Sequence, residues 1–170
     1  MKQDLLEKVL EAKEERATYQ KQLIDNYQLP LVSLTLNLPG GYFQYTGWEN
    51  VMEKAVIAID KAFDNDVMFK DTRVGKWGPE GFWVIDQLLE NVKIGTIRIE
   101  DIHPLGRLFD IDVINKQGSS ISRRDFHIKA RKCMICNHDA LDCYVGKKHT
   151  GEELKLKIDE MIDKGLEKGW

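Results

Sequence analysis

The sequence predicts an α+β protein, built on a mainly antiparallel sheet of four or five strands with additional N- and C-terminal helices. Strand-like and helical segments alternate in the order β-α-β-β-α-β, which is that of the split β-α-β arrangement. One helical pattern precedes this unit and another follows it. The chain has 170 residues, so we expect a single domain over 1–170 rather than two.

The first half of the chain supplies three of the predicted strands. Residues 4–27 predict the N-terminal helix, and residues 31–38 predict a strand with alternating apolar positions. Apolar residues at helical spacing make 48–63 the clearest amphipathic helix. Two strands, 66–74 and 81–86, follow with a glycine-rich connection between them.

The second half is less uniform. Residues 87–101 are ambiguous because their β-branched residues and Gly95 favour a strand, whereas the spacing of the apolar residues fits a helix. A helix is preferred because it completes the order above and gives the next strand, 108–114, a central place in the sheet. A capping box predicts the start of a final helix over 150–166.

The strand 108–114 carries a pair of carboxylates. Side chains alternate across a strand, so Asp110 and Asp112 share one face while the other face is wholly apolar. Two neighbouring carboxylates repel each other, and a divalent cation such as Mg²⁺ would remove that conflict. Taken alone, an edge strand with two solvated aspartates is the more frequent explanation of this motif.

The flanking residues favour the metal interpretation. Arg107 lies just before the carboxylates, and residues 122–125 are predicted to form the next strand of a hairpin. That strand would bring Arg123, Arg124 and Asp125 to the same site. Guanidinium groups match phosphate oxygens, so the combined pattern indicates a metal-bound polyphosphate.

Two earlier segments offer further candidates for substrate binding. Arg16 could face the site from the first helix, although a solvated helix face is the more frequent explanation of its spacing. Asn37 precedes a turn at Pro39 and Gly40 whose exposed amides could meet phosphate. Ordinary turn chemistry is the alternative there.

The cysteine segment suggests a second metal. Cys133, Cys136, Cys143 and His149 form a plausible four-ligand set for Zn²⁺, with His138 as a competing ligand. The alternative is three reduced cysteines packed near a helix start. With four protein ligands a zinc ion would have no open position, so it would stabilise the loop rather than perform chemistry.

Composition narrows the class of protein. An apolar content of 42% and a charged content of 31% are typical of a globular protein. No apolar run approaches the length of a membrane span, and no secretory signal is evident. Three cysteines fit a reducing compartment, so we expect a cytoplasmic protein. The net charge is −3, yet residues 123–132 are basic, which suggests an anionic ligand rather than nucleic acid.

Three motifs stand out in the second half of the chain. They are His-Pro-Leu-Gly-Arg-Leu-Phe-Asp-Ile-Asp-Val at 103–113, Ser-Arg-Arg-Asp-Phe at 122–126 and Arg-x-Cys-x-x-Cys at 131–136. Together they resemble a known family, the apo-citrate lyase phosphoribosyl-dephospho-CoA transferases. The resemblance extends from about Glu15 to His149. The block at 103–113 is its most specific part.

The resemblance implies a reaction. The substrate would be 2′-(5″-triphosphoribosyl)-3′-dephospho-CoA, and the acceptor a serine of the citrate lyase acyl-carrier (γ) subunit. Attack at the α-phosphorus would attach the prosthetic group and release diphosphate. In that reaction Arg107, Arg123 and Arg124 would hold the triphosphate, and Asp125 or His103 would take the serine proton. His103, which precedes Pro104, could equally be an ordinary loop histidine.

Two other interpretations fit the residues. One is a different Mg²⁺-dependent nucleotidyltransferase that uses the same pair of aspartates. The other is a non-catalytic, zinc-stabilised binding module that uses the basic segment. Neither involves a membrane or nucleic acid.

Overall fold

The computed structural model describes residues 2–167, with side chains from residue 7 onward. The helices are α1 (Lys2–Tyr27), α2 (Trp48–Phe63), α3 (Leu89–Ile102), α4 (Ala140–Val145) and α5 (Gly151–Glu167). The strands are β1 (Leu31–Leu36), β2 (Val67–Gly75), β3 (Gly78–Ile85), β4 (Phe109–Ile114) and β5 (Ser120–Ile121).

The strands form one sheet in the order β2-β3-β1-β4-β5, and every neighbouring pair is antiparallel. The first four strands, with α2 and α3 as crossovers, have the topology of the split β-α-β arrangement. The predicted α+β fold is therefore confirmed, including the helices at both ends. The two-residue β5 adds a short edge beside β4.

The two faces of the sheet are covered differently. Helices α2, α3 and α5 pack on one face, where the core includes Ile59, Trp83 and Phe109. Helix α1 lies on the opposite face, where Leu23 and Ile24 join a smaller buried cluster. Part of that second face stays open beyond α1, and the side chains of Thr35, Asp110 and Asp112 lie there, whereas Ser33 is buried under Gln20 of α1.

The ambiguous segment is helical, and Gly95 has a packing reason. A Cβ atom at this position would lie 2.8 Å from the Phe63 ring, which is tighter than carbon atoms can approach. Glycine therefore lets α2 and α3 come close together. Four of the β-branched residues that suggested a strand, Val92, Thr96, Ile97 and Ile99, are instead buried on α3, whereas Ile94 is exposed.

One predicted strand is wrong. Residues 122–125 do not continue the hairpin, because β5 ends at Ile121 and Arg123–Phe126 form a 3₁₀ helix. The cause is local: the Ser122 backbone N–H donates to Asp125 Oδ2 at 2.7 Å in a capping box. That turn withdraws the chain from the edge of β4.

No helix within residues 2–167 combines the length and apolar character that a membrane span requires.

Candidate functional site

The sheet register places four polar side chains together on the face of the sheet that α1 partly covers. Thr35 lies opposite Asp110 across β1 and β4, and Ser33 lies opposite Asp112. The Thr35 hydroxyl donates to Asp110 Oδ2 at 3.3 Å. From β5, the Ser120 hydroxyl donates to Asp112 Oδ1 at 3.4 Å. Both aspartates are exposed, so they remain accessible to a ligand.

Asp110 lies at the base of a concave surface with its side chain 52% exposed. Partial loss of solvent around this half-buried carboxyl group raises its pKa above the usual aspartate value, and the nearby Asp112 carboxylate raises it further. Hydrogen bonding from Thr35 only partly opposes this. The pair therefore carries the mutual repulsion that a bound cation would relieve.

Glu100 on α3 organises the surroundings of the aspartates. Its side chain is 4% exposed, and Oε1 accepts a hydrogen bond at 3.2 Å from the backbone N–H of Ile111, the residue between them. Arg123 Nη2 lies 2.8 Å from Glu100 Oε2 and 2.8 Å from Asp101 Oδ1. Arg123, predicted to hold phosphate, is thus already engaged by two carboxylates.

Arg131 completes this buried cluster. It donates to Glu100 and, at 3.0 Å, to the carbonyl oxygen of Phe109, and its Nη1 lies 3.9 Å from Asp110 Oδ1. Burial lowers the pKa of Arg131 to about 10, so the guanidinium stays charged at neutral pH. A fixed positive charge therefore stands beside the candidate metal ligand.

A cavity of about 860 Å³ opens next to Asp110. Arg107, Arg124 and Asn37 line it, and the cysteine segment forms its far wall. Among the described residues, neither Arg107 nor Arg124 forms an ion pair, in contrast to Arg123 and Arg131. The cavity thus joins a carboxylate to two guanidinium groups that are available to an anion.

A smaller cavity of about 200 Å³ lies on the other side of Asp110. Arg16 lines it from α1, but its Nε is 3.1 Å from Glu80 Oε1, so this arginine is partly neutralised. Gly40 itself does not line either cavity. Its carbonyl accepts a hydrogen bond of 2.6 Å from Gln44, and its φ of +85° suits glycine in a tight turn.

The two candidate bases have other contacts. His103 Nδ1 accepts the Leu105 backbone N–H at 3.0 Å, and its ring packs on Phe109 with centroids 4.9 Å apart. Burial lowers the pKa of His103. Asp125 caps its own 3₁₀ helix, as described above. Neither residue lines the larger or the smaller cavity.

The cysteine segment folds into one cluster. The thiol and imidazole ligand atoms of Cys133, Cys136, Cys143 and His149 all lie within 4.8 Å of one another. Cys136 Sγ is 3.4 Å from Cys143 Sγ and 3.3 Å from His149 Nε2. Ligands around a tetrahedral Zn²⁺ with bonds of about 2.3 Å would be separated by about 3.8 Å, so the cluster fits this ion.

Hydrogen bonding within the cluster favours a thiolate at Cys133. Burial acts to raise the pKa of this thiol, but backbone N–H groups of Cys136 and Ile135 lower it to about 7. A deprotonated sulfur is the form that binds metal. His138 Nδ1 lies 3.4 Å from Cys136 Sγ but falls outside the four-ligand set.

Sequence interpretation missed Glu100, Lys93 and the role of Arg131. Lys93 and Glu100 are seven residues apart on α3, two helical turns, and both are buried. Burial lowers the pKa of Lys93, while the carboxylates of Asp112 and Asp110 oppose that change. The sequence did contain a signal for these buried charges, because Lys93 and Glu100 fall on the apolar face of the predicted helix, where charged residues are rare.

Comparisons with known proteins point to one family. The family model of the apo-citrate lyase phosphoribosyl-dephospho-CoA transferases matches residues 4–165. A Citrobacter koseri protein with that name is 32% identical over 157 residues, which cover 91% of this chain and 86% of the relative. An Escherichia coli protein of the same name is 30% identical over 158 residues, 91% of this chain and 86% of the relative.

A Vibrio cholerae relative, named "Probable apo-citrate lyase phosphoribosyl-dephospho-CoA transferase", is 36% identical over 160 residues, which span 92% of this chain and 90% of its own. The resemblance of the three motifs is thereby confirmed over almost the whole length of each protein. This chain belongs to the apo-citrate lyase phosphoribosyl-dephospho-CoA transferase family.

Proposed function

We propose that this protein transfers the 2′-(5″-phosphoribosyl)-3′-dephospho-CoA group from its triphosphoribosyl precursor to a serine of the citrate lyase acyl-carrier (γ) subunit. Family membership indicates the transferase class and the prosthetic group. The observation that carries the proposal is the shared cavity of Asp110, Arg107 and Arg124. It combines a carboxylate with two guanidinium groups that no other described residue neutralises.

The transfer is a nucleotidyl-type displacement. The serine oxygen attacks the α-phosphorus, a new P–O bond forms, and the bond from the α-phosphorus to the bridging oxygen breaks. That oxygen leaves with the electron pair as part of diphosphate. Arg107 and Arg124 bind the triphosphate and offset the charge that develops on the leaving group, since guanidinium groups pair well with phosphate oxygens.

Asp110 and Asp112 are the residues that would hold Mg²⁺. Burial is the main reason why the pKa of Asp110 is raised, and repulsion from Asp112 adds to it. A cation would relieve that repulsion, and both carboxylates are accessible. When bound, Mg²⁺ would neutralise polyphosphate charge and align the attacking and leaving oxygens. Arg131 supports the same end by fixing positive charge beside Asp110.

The proton of the serine hydroxyl must pass to a base. His103 and Asp125 were the candidates from the sequence, but each accepts a backbone N–H and neither lines the cavity. We therefore propose that an oxygen of the Asp110–Asp112 pair accepts the proton.

We also propose that Cys133, Cys136, Cys143 and His149 bind one Zn²⁺ with a structural role. The spacing of the ligand atoms and the lowered pKa of Cys133 support this. Four protein ligands close the coordination sphere, so the ion would hold the segment that walls the cavity. Reduced thiols are needed for it, which agrees with a cytoplasmic location.

A mass measurement tests the transfer. Apo-acyl-carrier subunit is incubated with this protein, the triphosphoribosyl precursor and Mg²⁺, and its intact mass is followed with time. The expected result is an increase equal to the phosphoribosyl-dephospho-CoA group on one serine. Asp110→Asn and Asp112→Asn should each slow the transfer by at least about 100-fold, the scale for losing one major electrostatic contribution.

The matched control is Asp163→Asn, an exposed aspartate on α5 outside both cavities, which should transfer at the wild-type rate. Diphosphate release from ATP without modification of the acyl-carrier subunit would point instead to another nucleotidyltransferase. Unchanged function in both aspartate variants would point to a binding module and would overturn the proposal.

A further inference from the structure

The larger cavity is lined by two kinds of side chain. Asp110, Arg107 and Arg124 belong to its charged lining, together with Arg131 and Lys147. Its apolar lining comes from α4 and the neighbouring segments, through Met134, Leu141, Tyr144, Val145 and Leu154. One continuous space therefore offers both charged and hydrocarbon contacts to a ligand.

The apolar wall is open to solvent. Leu141, Tyr144 and Val145 are 56%, 82% and 72% exposed, so half of the six residues of α4 are exposed apolar side chains. Scattered apolar side chains are normal on a surface, but three on one short helix that lines a cavity indicate a surface that a ligand covers. The volume of the cavity, about 860 Å³, lies within the usual range for small-molecule sites.

We propose that this wall, which we name the α4 wall (Met134, Leu141, Tyr144, Val145 and Leu154), binds the pantetheine arm of the dephospho-CoA group. The inference rests on the proposed function and deepens it. Dephospho-CoA is ADP esterified to pantetheine, an uncharged flexible chain with a branched dimethyl group and a thiol end. A ligand with phosphates in one part and such a chain in another matches a cavity that is lined by both charged and apolar side chains.

The shape of the site favours the substrate over the acceptor protein. The α4 wall is continuous with Asp110 and the two free arginines, so a ligand held by its phosphates would extend its chain along the wall. A stable protein partner needs about 800 Å² of surface on each side, which a cavity wall of one six-residue helix does not supply. The acyl-carrier subunit would then approach from outside the cavity.

The cysteine cluster belongs to the same wall. Cys143 lies within α4, and Cys133 and His149 also line the cavity. Whatever holds these ligands together therefore positions the α4 wall. The consequence is that chelation should weaken recognition of the pantetheine arm, which binding measurements detect without any turnover.

Calorimetric titration with dephospho-CoA and with the methyl ester of ADP at its β-phosphate, both in the presence of Mg²⁺, tests the proposal. The two ligands carry the same charge and differ in pantetheine, so their affinity ratio isolates the arm. Wild type should bind dephospho-CoA on the order of 10-fold more tightly, which corresponds to burying about two methylene groups. Leu141→Ser and the isosteric Val145→Thr should each reduce this ratio severalfold while the affinity for the methyl ester of ADP stays unchanged.

Leu156→Ser is the matched control, because Leu156 is 71% exposed on α5 and does not line the cavity. It should keep the wild-type ratio, and circular dichroism should show that all variants fold. Equal affinity of wild type for the two ligands, or an unchanged ratio in both α4 variants, would overturn the inference. So would variants that lose only binding of the acyl-carrier subunit, since the wall would then dock the acceptor.

The outcomes separate the two proposals. Wild-type protein that modifies the acyl-carrier subunit but binds dephospho-CoA and the methyl ester of ADP equally would overturn binding of the arm by the α4 wall alone. Wild-type protein that shows the affinity ratio but never transfers the group would overturn the proposed transfer and leave the arm-binding wall in place.

Discussion

Glu100 and Ile111 are joined by a hydrogen bond from the Ile111 backbone N–H to the buried carboxylate of Glu100, 3.2 Å in length. Strand β5 pairs only with Val113 and Ile114, so β4 has no strand partner at this point of its outer edge. The carboxylate of α3 takes that place. It thereby fixes the segment of β4 that presents Asp110 and Asp112 on the opposite side of the pleat.

Replacing Glu100 should therefore cost much of the stability of the fold. Glu100→Gln leaves Arg123 and Arg131 with a neutral amide, and breaking a buried ion pair in this way typically costs about 3–5 kcal/mol. We expect a loss of this order in the free energy of unfolding, measured by urea denaturation. Asp101→Asn is the control, because Asp101 binds the same Arg123 but is 49% exposed, and its loss should cost at most about 1 kcal/mol.

Asp110 should make stability depend on pH. Its pKa is raised in the folded state, so the folded protein binds this proton more tightly than the unfolded chain does. Ionising Asp110 lowers the free energy of unfolding. This loss is absent below the ordinary aspartate pKa of about 4 and grows as the pH rises towards the higher pKa of the folded state. Asp110→Asn should consequently have a higher Tm than wild type at pH 7, and the difference should disappear near pH 3.

Addition of Mg²⁺ should reverse that order. A cation that binds only the folded state raises its stability, so wild-type Tm should increase with Mg²⁺ concentration and that of Asp110→Asn should not. Scanning calorimetry of both proteins with and without Mg²⁺ provides the comparison. An equal response of the two proteins would contradict a metal site at Asp110.

Arg107 and Arg123 should respond differently to the same substitution. Arg107→Lys keeps the charge but loses the two-pronged contact with phosphate, so the rate of transfer should fall about 10- to 100-fold with little change in stability. Arg123→Lys should lower the unfolding free energy by about 1–3 kcal/mol, because lysine cannot bridge Glu100 and Asp101 in the same way. Rates from the mass assay and urea denaturation of both variants give the two readouts. Equal kinetic and stability effects in both variants would argue against this division of roles.

The two histidines near the cysteines should differ in metal binding. Protein purified without chelator should contain close to one Zn²⁺ per chain by elemental analysis, and chelation should lower its Tm since binding energy at such a site is folding energy. His149→Gln should lose the metal, whereas His138→Gln should retain it because His138 lies outside the ligand set. Wild-type protein with no zinc and three freely titrating thiols would show that the cluster is ordinary packing.

Local patterns in the sequence determined the order of the elements and the fold class, because helical and strand periodicities arise from neighbouring residues. They also placed Asp110 and Asp112 on one face of β4, since alternation along a strand is a local property. The strand predicted over 122–125 was wrong, because the capping box of Ser122 and Asp125 forms a 3₁₀ helix there. The grouping of Cys133 and Cys136 was visible for the same local reason.

Only the tertiary structure decided which charges are free to act. Arg123 and Arg131 are bound by Glu100, more than twenty residues away in the chain, while Arg107 and Arg124 are left for a ligand. The tertiary structure also decided that α1 packs on part of one face of the sheet, that His149 lies beside the cysteines, and that α4 lines the cavity. The physical reason is that ion pairing and cavity walls depend on distances between residues far apart in sequence, which no local periodicity encodes.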